Sequence, residues 1–140
     1  MGPVGLSQLL QLKRGCTSMK IESYKIELSN MRLYAYHGVL PQENVVGAWY
    51  IVDLTVTVDN VDSISSDNLD STINYAAIYD VVREEMKINS KLLEHVCGRI
   101  MSKLFERFSS IVAAEISLKK ETPPLGGDGL SSAVRIKAVR

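Results

Sequence analysis

The sequence predicts an α+β fold: a four-stranded antiparallel sheet with a pair of helices covering one face, in the order ββααββ. Two observations predict it. Apolar and polar residues alternate with a period of two near both ends of the chain, and between these stretches apolar residues recur at helical spacing. A length of 140 residues, 46% of them hydrophobic, suits one compact domain with a single core.

The elements follow in order. From Tyr24, YKIELSNMRLYAYHG is rich in Ile, Leu and Tyr and closes at His37-Gly38, shortly before Pro41, as a first strand should. Tyr50, Val52, Leu54, Val56 and Val58 then alternate with Ile51, Asp53, Thr55, Thr57 and Asp59, the clearest strand signal in the chain. The polar VDSISSDNLDST that follows breaks the alternation and reads as a surface connection leading to a helix start near Asn74. Tyr75, Ile78, Tyr79, Val82 and Met86 mark the first helix. After INSK, the residues Leu93, Val96, Cys97, Ile100, Met101, Leu104 and Phe108 mark the second. Val112, Ala114, Ile116 and Leu118 form the apolar side of a third strand, and Val134, Ile136 and Ala138 that of a fourth, with the turn PPLGGDG between them. Long strands in one small domain leave edges that invite pairing with other copies, so a ring-shaped homo-oligomer is expected.

Composition narrows the function. Lys plus Arg and Asp plus Glu both total 16, so no net charge draws the chain to nucleic acid or to a membrane surface. No apolar run approaches the roughly 20 residues of a membrane helix. Cys16 and Cys97 form no CxxC pair and read as reduced thiols, which with the absence of a complete secretory signal points to the cytoplasm. The segment 1–18 lacks acidic residues, but its apolar part is short and interrupted by Gln, and Leu6 stands where a myristoylation signal needs Ser or Thr. It reads as a disordered upstream extension of a domain spanning 19–140, with Met19 as the natural start.

Four segments, in order, carry a resemblance: AYHGVLPQE at Ala35 to Glu43, STINYAAIYDVV at Ser71 to Val82, LLEHVCGRI at Leu92 to Ile100, and KKETPP at Lys119 to Pro124. Together they resemble the dihydroneopterin aldolase family over about Met19 to Arg140. The resemblance implies the tunnelling fold, in which sheets from several subunits join into a barrel with the helices outside, as a tetramer or octamer with active sites between neighbours. It also implies a pterin substrate and no cofactor.

The residues themselves allow both bland and functional readings. Glu94 lies in the first turn of the second helix, where the macrodipole favours a carboxylate by about 0.3 to 1 kcal/mol. Capping does not explain it, because the better cap, Ser90, places Leu93 at the capping-box position. The resemblance implies that Glu94 grips the amino-pyrimidinone edge of the pterin with both carboxylate oxygens. Lys120 continues the even, apolar positions of the third strand, so it either snorkels to solvent at the strand end or has work to do inside. The family pattern implies the latter, proton transfer from the substrate side chain. Glu43 follows a turn, where carboxylates are usually solvated; the resemblance implies that it holds the hydroxyls or water beside the scissile bond. Tyr75 would ordinarily begin a core stripe, whereas the family implies that it enters the site from an adjacent subunit and helps protonate the intermediate. Backbone groups near Ile73 and Leu93 are implied in pterin binding. His37 and His95 read as structural or hydrogen-bonding residues, and the glycine-rich turn lacks the pattern of a phosphate loop.

The chemistry so implied needs neither metal nor lysine imine. In 7,8-dihydroneopterin the ring C=N bond adjoins the carbon that loses its partner, so the ring itself accepts the electrons of a retro-aldol cleavage. Two histidines and two scattered cysteines also make a poor zinc set. Rival readings are a dihydroneopterin triphosphate epimerase of the same fold, which should need cations for the triphosphate, and a silent pterin-binding oligomer.

Overall fold

Period-two alternation folds into one antiparallel sheet of order β1-β2-β3-β4 in the computed structural model, which describes residues 19–123 and 129–140. The strands are β1 (Tyr24–Ala35), β2 (Ala48–Val58), β3 (Ile111–Glu121) and β4 (Ser131–Val139). Between them lie a short helix α1 (Glu43–Val46), then α2 (Asp62–Ser66) and a 3₁₀ turn (Leu69–Ser71), then the long helices α3 (Tyr75–Met86) and α4 (Leu93–Arg107). The polar connection after β2 is thus wound into two short helical turns. The extension at 1–18 and most of the PPLGGDG turn fall outside the described residues.

One face of the sheet makes the core. Tyr50, Val52, Leu54, Val56 and Val58 of β2 and Ala114, Ile116 and Leu118 of β3 are buried with Ile78, Val82 and Met86 of α3 and Val96, Ile100 and Leu104 of α4. Each such aliphatic side chain contributes about 1.5 to 3 kcal/mol on burial, which is why the two periodicities were legible. Among the described residues no helix is long and apolar enough to cross a membrane.

Two irregularities shift what faces inward. In β1 the register steps from Leu28↔Leu54 to Met31↔Val52, so one extra residue enters at Asn30, which adopts φ 59° while its N–H donates to Asp53 Oδ1 at 2.7 Å. Inward parity therefore changes from Ile26 and Leu28 to Met31, Leu33 and Ala35, and His37 is carried into the core. In β3 the register runs Thr57↔Ala113 then Val58↔Ile111, leaving Val112 as the extra residue. Ile111 takes the fully buried place expected for Val112, which is only partly covered.

The helix starts differ in kind. Asn74 Oδ1 accepts from the Ala76 N–H at 2.9 Å and caps α3 as its composition suggests. At α4 the cap position falls to Leu92, which supplies no side-chain bond, and not to Ser90. Ser90 is occupied elsewhere: its N–H, carbonyl and hydroxyl bond to His37, Gly38 and Arg99 respectively. Tyr75, the first residue of α3, is 67% exposed and is no part of the core.

Candidate active site

The even parity of β3 that brings Leu118 inward also brings Lys120 inward, opposite Tyr50 of β2. Lys120 is 7% exposed, unusual for an ammonium, whose transfer from water costs several kcal/mol unless it is paired. It is paired. Lys120 Nζ contacts Glu43 Oε2, donates to the His37 carbonyl at 3.2 Å, and lies 5.7 Å from the centre of the Tyr50 ring. The same carbonyl accepts from the Tyr50 hydroxyl at 2.9 Å, so the end of β1 is tied to β2 and β3 at one oxygen. Burial pushes the Tyr50 phenol pKa up, against the opposing influence of Lys120.

Glu43 reaches this point from α1. The hydrogen bond from Lys120 holds its carboxyl below the usual carboxylate range; burial opposes this, while the Leu40 N–H, donating to Oε1 at 3.2 Å, and the lysine charge reinforce it. Gly38 makes room for it. That residue has φ 153°, and an added Cβ would lie 2.5 Å from Glu43 Cδ, so only glycine lets the carboxylate lie against the chain here. In the sequence Gly38 marked only the end of a strand, and neither Gly38 nor Tyr50 announced a place beside Lys120.

His37 is fully buried. Its Nδ1 accepts from the Ser90 N–H at 3.1 Å, its ring meets Tyr50 edge-on at 5.3 Å, and Nε2 makes no well-aligned hydrogen bond among the described residues. Burial, aided by the charges of Arg99 and Lys120 and opposed by the Met86 carbonyl, lowers its pKa from 6.5 to about 4.

A cavity of ≈ 250 Å³ opens over this group, lined by Gly38, Glu43, Leu93, Lys120 and Ser132 among others. A second opening of ≈ 430 Å³ on the other side of the pair is walled by Tyr34, Gly47, Trp49 and Thr122. Glu43, Lys120 and Leu93 are therefore brought together. Glu94 is the next residue, but its exposed side chain lines a separate groove with Glu85, His95 and Arg99, and no ion pair or side-chain hydrogen bond to the described residues restrains it. Ile73 and Tyr75 are not brought to this end. Thr72 bonds Tyr24, which pairs with Val58, whereas Lys120 pairs with Tyr50, eight residues back along β2 or about 26 Å. Cys97 takes no part; burial raises its thiol pKa to about 11. Among the described residues no cluster of three His, Cys, Asp or Glu side chains is placed to hold a metal ion.

Comparison with known proteins gives the lineage. The family model described as dihydroneopterin aldolase matches residues 26–137. This chain belongs to the dihydroneopterin aldolase family. The dihydroneopterin aldolase of Streptococcus pyogenes serotype M6 is 33% identical over 117 residues, covering 83% of this chain and 98% of that protein. Two solved members of the family share the fold. The E. coli dihydroneopterin aldolase in complex with neopterin superposes with a TM-score of 0.74 at 22% identity, covering 82% of this chain and 98% of that one. A Burkholderia dihydroneopterin aldolase bound to guanine gives a TM-score of 0.67 at 16% identity, over 85% and 93% respectively. In this member of the family, four of the sequence-predicted residues stand at or beside the Lys120 end of the sheet and two toward the far end.

The buried histidine makes stability pH-dependent. Because the folded pKa lies below the unfolded one, the unfolded chain binds the proton more readily, so the contribution is complete above pH 6.5 and is lost as pH falls toward 4. The loss expected from this residue is on the order of 3 kcal/mol. Urea denaturation between pH 7 and 4 should show the parent losing that much more stability than His37→Asn; equal losses would contradict a neutral, buried His37.

Proposed function

We propose that the chain is a carbon–carbon lyase that cleaves 7,8-dihydroneopterin into 6-hydroxymethyl-7,8-dihydropterin and glycolaldehyde, an aldehyde-lyase step of folate biosynthesis. One observation carries the reading beyond family membership. A buried lysine ammonium and a carboxylate are joined at the mouth of a cavity that Leu93, at the start of α4, also lines. The neopterin held by the E. coli protein and the guanine held by the Burkholderia one share an amino-pyrimidinone edge, the group assigned to Glu94.

Each residue then has a defined task. Glu94, unrestrained at the start of α4, turns to receive the two adjacent N–H groups of that edge, and backbone groups at Leu93 and Ile73 complete the clamp. Lys120, once its ammonium has released a proton to solvent, takes the proton from the 2′-hydroxyl, directly or through a water held by Glu43. The C1′–C2′ bond breaks, C2′ leaves as the aldehyde, and the electron pair moves through C6 to N5 of the ring as an enamine. Proton return to C1′, with Tyr75 assisting, gives the hydroxymethyl product. The ring accepts the electrons, so the step needs no lysine imine and no Lewis acid. Re-addition of bound glycolaldehyde to its other face would epimerise C2′.

The separation of Tyr75 and Ile73 from Lys120 supports a site shared by two copies. Among the described residues both outer strands, the 12-residue β1 and the 9-residue β4, lack a neighbour on one side. Pairing those edges between copies in a closed ring of sheets, with neighbouring strands staggered along their length, would bring the Tyr75 end of one subunit toward the Lys120 end of the next. We assign the enzyme to the cytoplasm, in keeping with a buried, unpaired Cys97.

Incubation with 7,8-dihydroneopterin and with its triphosphate, followed by chromatography, tests the reading. Glycolaldehyde should appear from the first, and turnover of the triphosphate alone would replace the lyase by an epimerase. Lys120→Ala should lower kcat by roughly 10²-fold with neopterin affinity little changed; an unaltered kcat would remove it from proton transfer. Glu94→Ala should weaken neopterin binding by roughly 2 to 4 kcal/mol, and calorimetry giving an affinity within twofold of the parent would refute its role. Mixed oligomers of inactive Tyr75→Phe and Lys120→Ala subunits should regain activity, whereas verified mixed oligomers that stay silent would argue for sites within one chain.

A further inference from the structure

His37 bonds in two directions at once. Through its carbonyl it accepts from Lys120 at 3.2 Å and from Tyr50 at 2.9 Å. Through Nδ1 it accepts from the Ser90 N–H at 3.1 Å, and the Gly38 N–H that follows donates to the Ser90 carbonyl at 2.9 Å. Ser90 belongs to the short connection between α3 and α4, and Leu93 and Glu94 begin α4 just beyond it. Arg99 stiffens that connection, donating to the carbonyls of Glu85 and Ile88 and to Ser90 Oγ, each at 2.9 Å. Among the described residues, the hydrogen bonds between this connection and the Lys120 end of the sheet run to His37 and its neighbour Gly38.

We propose that His37 is a positioning residue that fixes the distance between the proton-transferring Lys120 and the pterin-holding start of α4. The inference rests on the function proposed above. Its physical basis is that the two halves of the machinery come from different elements, β3 and the start of α4, and a misplacement of about 1 Å between reacting groups costs about 10²-fold in rate. A histidine present only to fill the core would need no acceptor toward Ser90. This one must present a bare Nδ1 there, which requires the neutral ring with its proton on Nε2.

Two substitutions separate positioning from packing. Asparagine places Oδ1 close to where Nδ1 stands and can still accept from Ser90, whereas leucine fills the space without an acceptor. His37→Leu should bind neopterin about tenfold more weakly and turn over dihydroneopterin about tenfold more slowly, while His37→Asn should stay within about threefold of the parent in both. Equal impairment of the two variants, or a leucine variant that behaves like the parent, overturns the proposal. Nitrogen NMR of the parent protein decides the matter even if a variant does not fold: the ring should be protonated at Nε2 and bare at Nδ1, and the opposite tautomer is incompatible with it. Turnover by the parent is measured alongside, because its absence there would overturn the function and not the role of His37 alone.

Discussion

A lysine ammonium held inside the molecule at the end of a β-strand imposes the strictest requirement in this structure. Left unpaired, a buried charge of this kind is destabilising by about 3 to 5 kcal/mol, a large part of the total stability of a small domain. The fold meets the requirement with two oxygens, the Glu43 carboxylate and the His37 carbonyl. Each depends on a local departure from regularity. Glu43 reaches Lys120 because Gly38 has no side chain, and His37 faces inward because the bulge at Asn30 reverses the parity of β1. Tyr50 fixes the shared carbonyl from below with a hydroxyl that has no access to water. The arrangement keeps a basic group and a carboxylate together at the mouth of a cavity in a fixed geometry, as proton transfer to a bound substrate requires.

The same sheet sets a limit on what one chain can do. Lys120 and Tyr75 lie toward opposite ends of β2, too far apart for side-chain motion to bring them together. Among the described residues both sheet edges are open, and the residues proposed for the site fall at opposite ends of one sheet; edge-to-edge pairing of copies would answer both, which we infer for this chain. Catalysis and assembly would then be one requirement, since a subunit alone would hold the proton-transfer pair without Tyr75.

Strand and helix periodicity was legible because it reflects burial on one face, and β2 and β3 bury that face almost completely. Lys120 was legible for the same reason: an even-numbered lysine after four even-numbered apolar residues is anomalous whatever family it belongs to. What escaped has a different origin. A bulge inserts one residue into an otherwise regular pattern, so Val112 was assigned the place that Ile111 holds, and nothing in the composition of that segment distinguishes the two. Ser90 looked like a helix cap because serine favours caps, yet its hydrogen bonds go to partners 53 and 9 residues away in sequence. Gly38 and Tyr50 act through tertiary proximity to Glu43 and Lys120, which no local pattern encodes. Tyr75 read alone as a core residue; its exposure fits the role that only the family resemblance implied.

A crystal structure of the assembled protein with neopterin bound tests the central claim most directly. The pterin should lie in the cavity beside Leu93, with its side-chain hydroxyl within hydrogen-bonding reach of Lys120 Nζ or a water on Glu43, and a Tyr75 from a neighbouring subunit against the ring. A pterin held entirely by one chain, or bound away from Lys120, would contradict it.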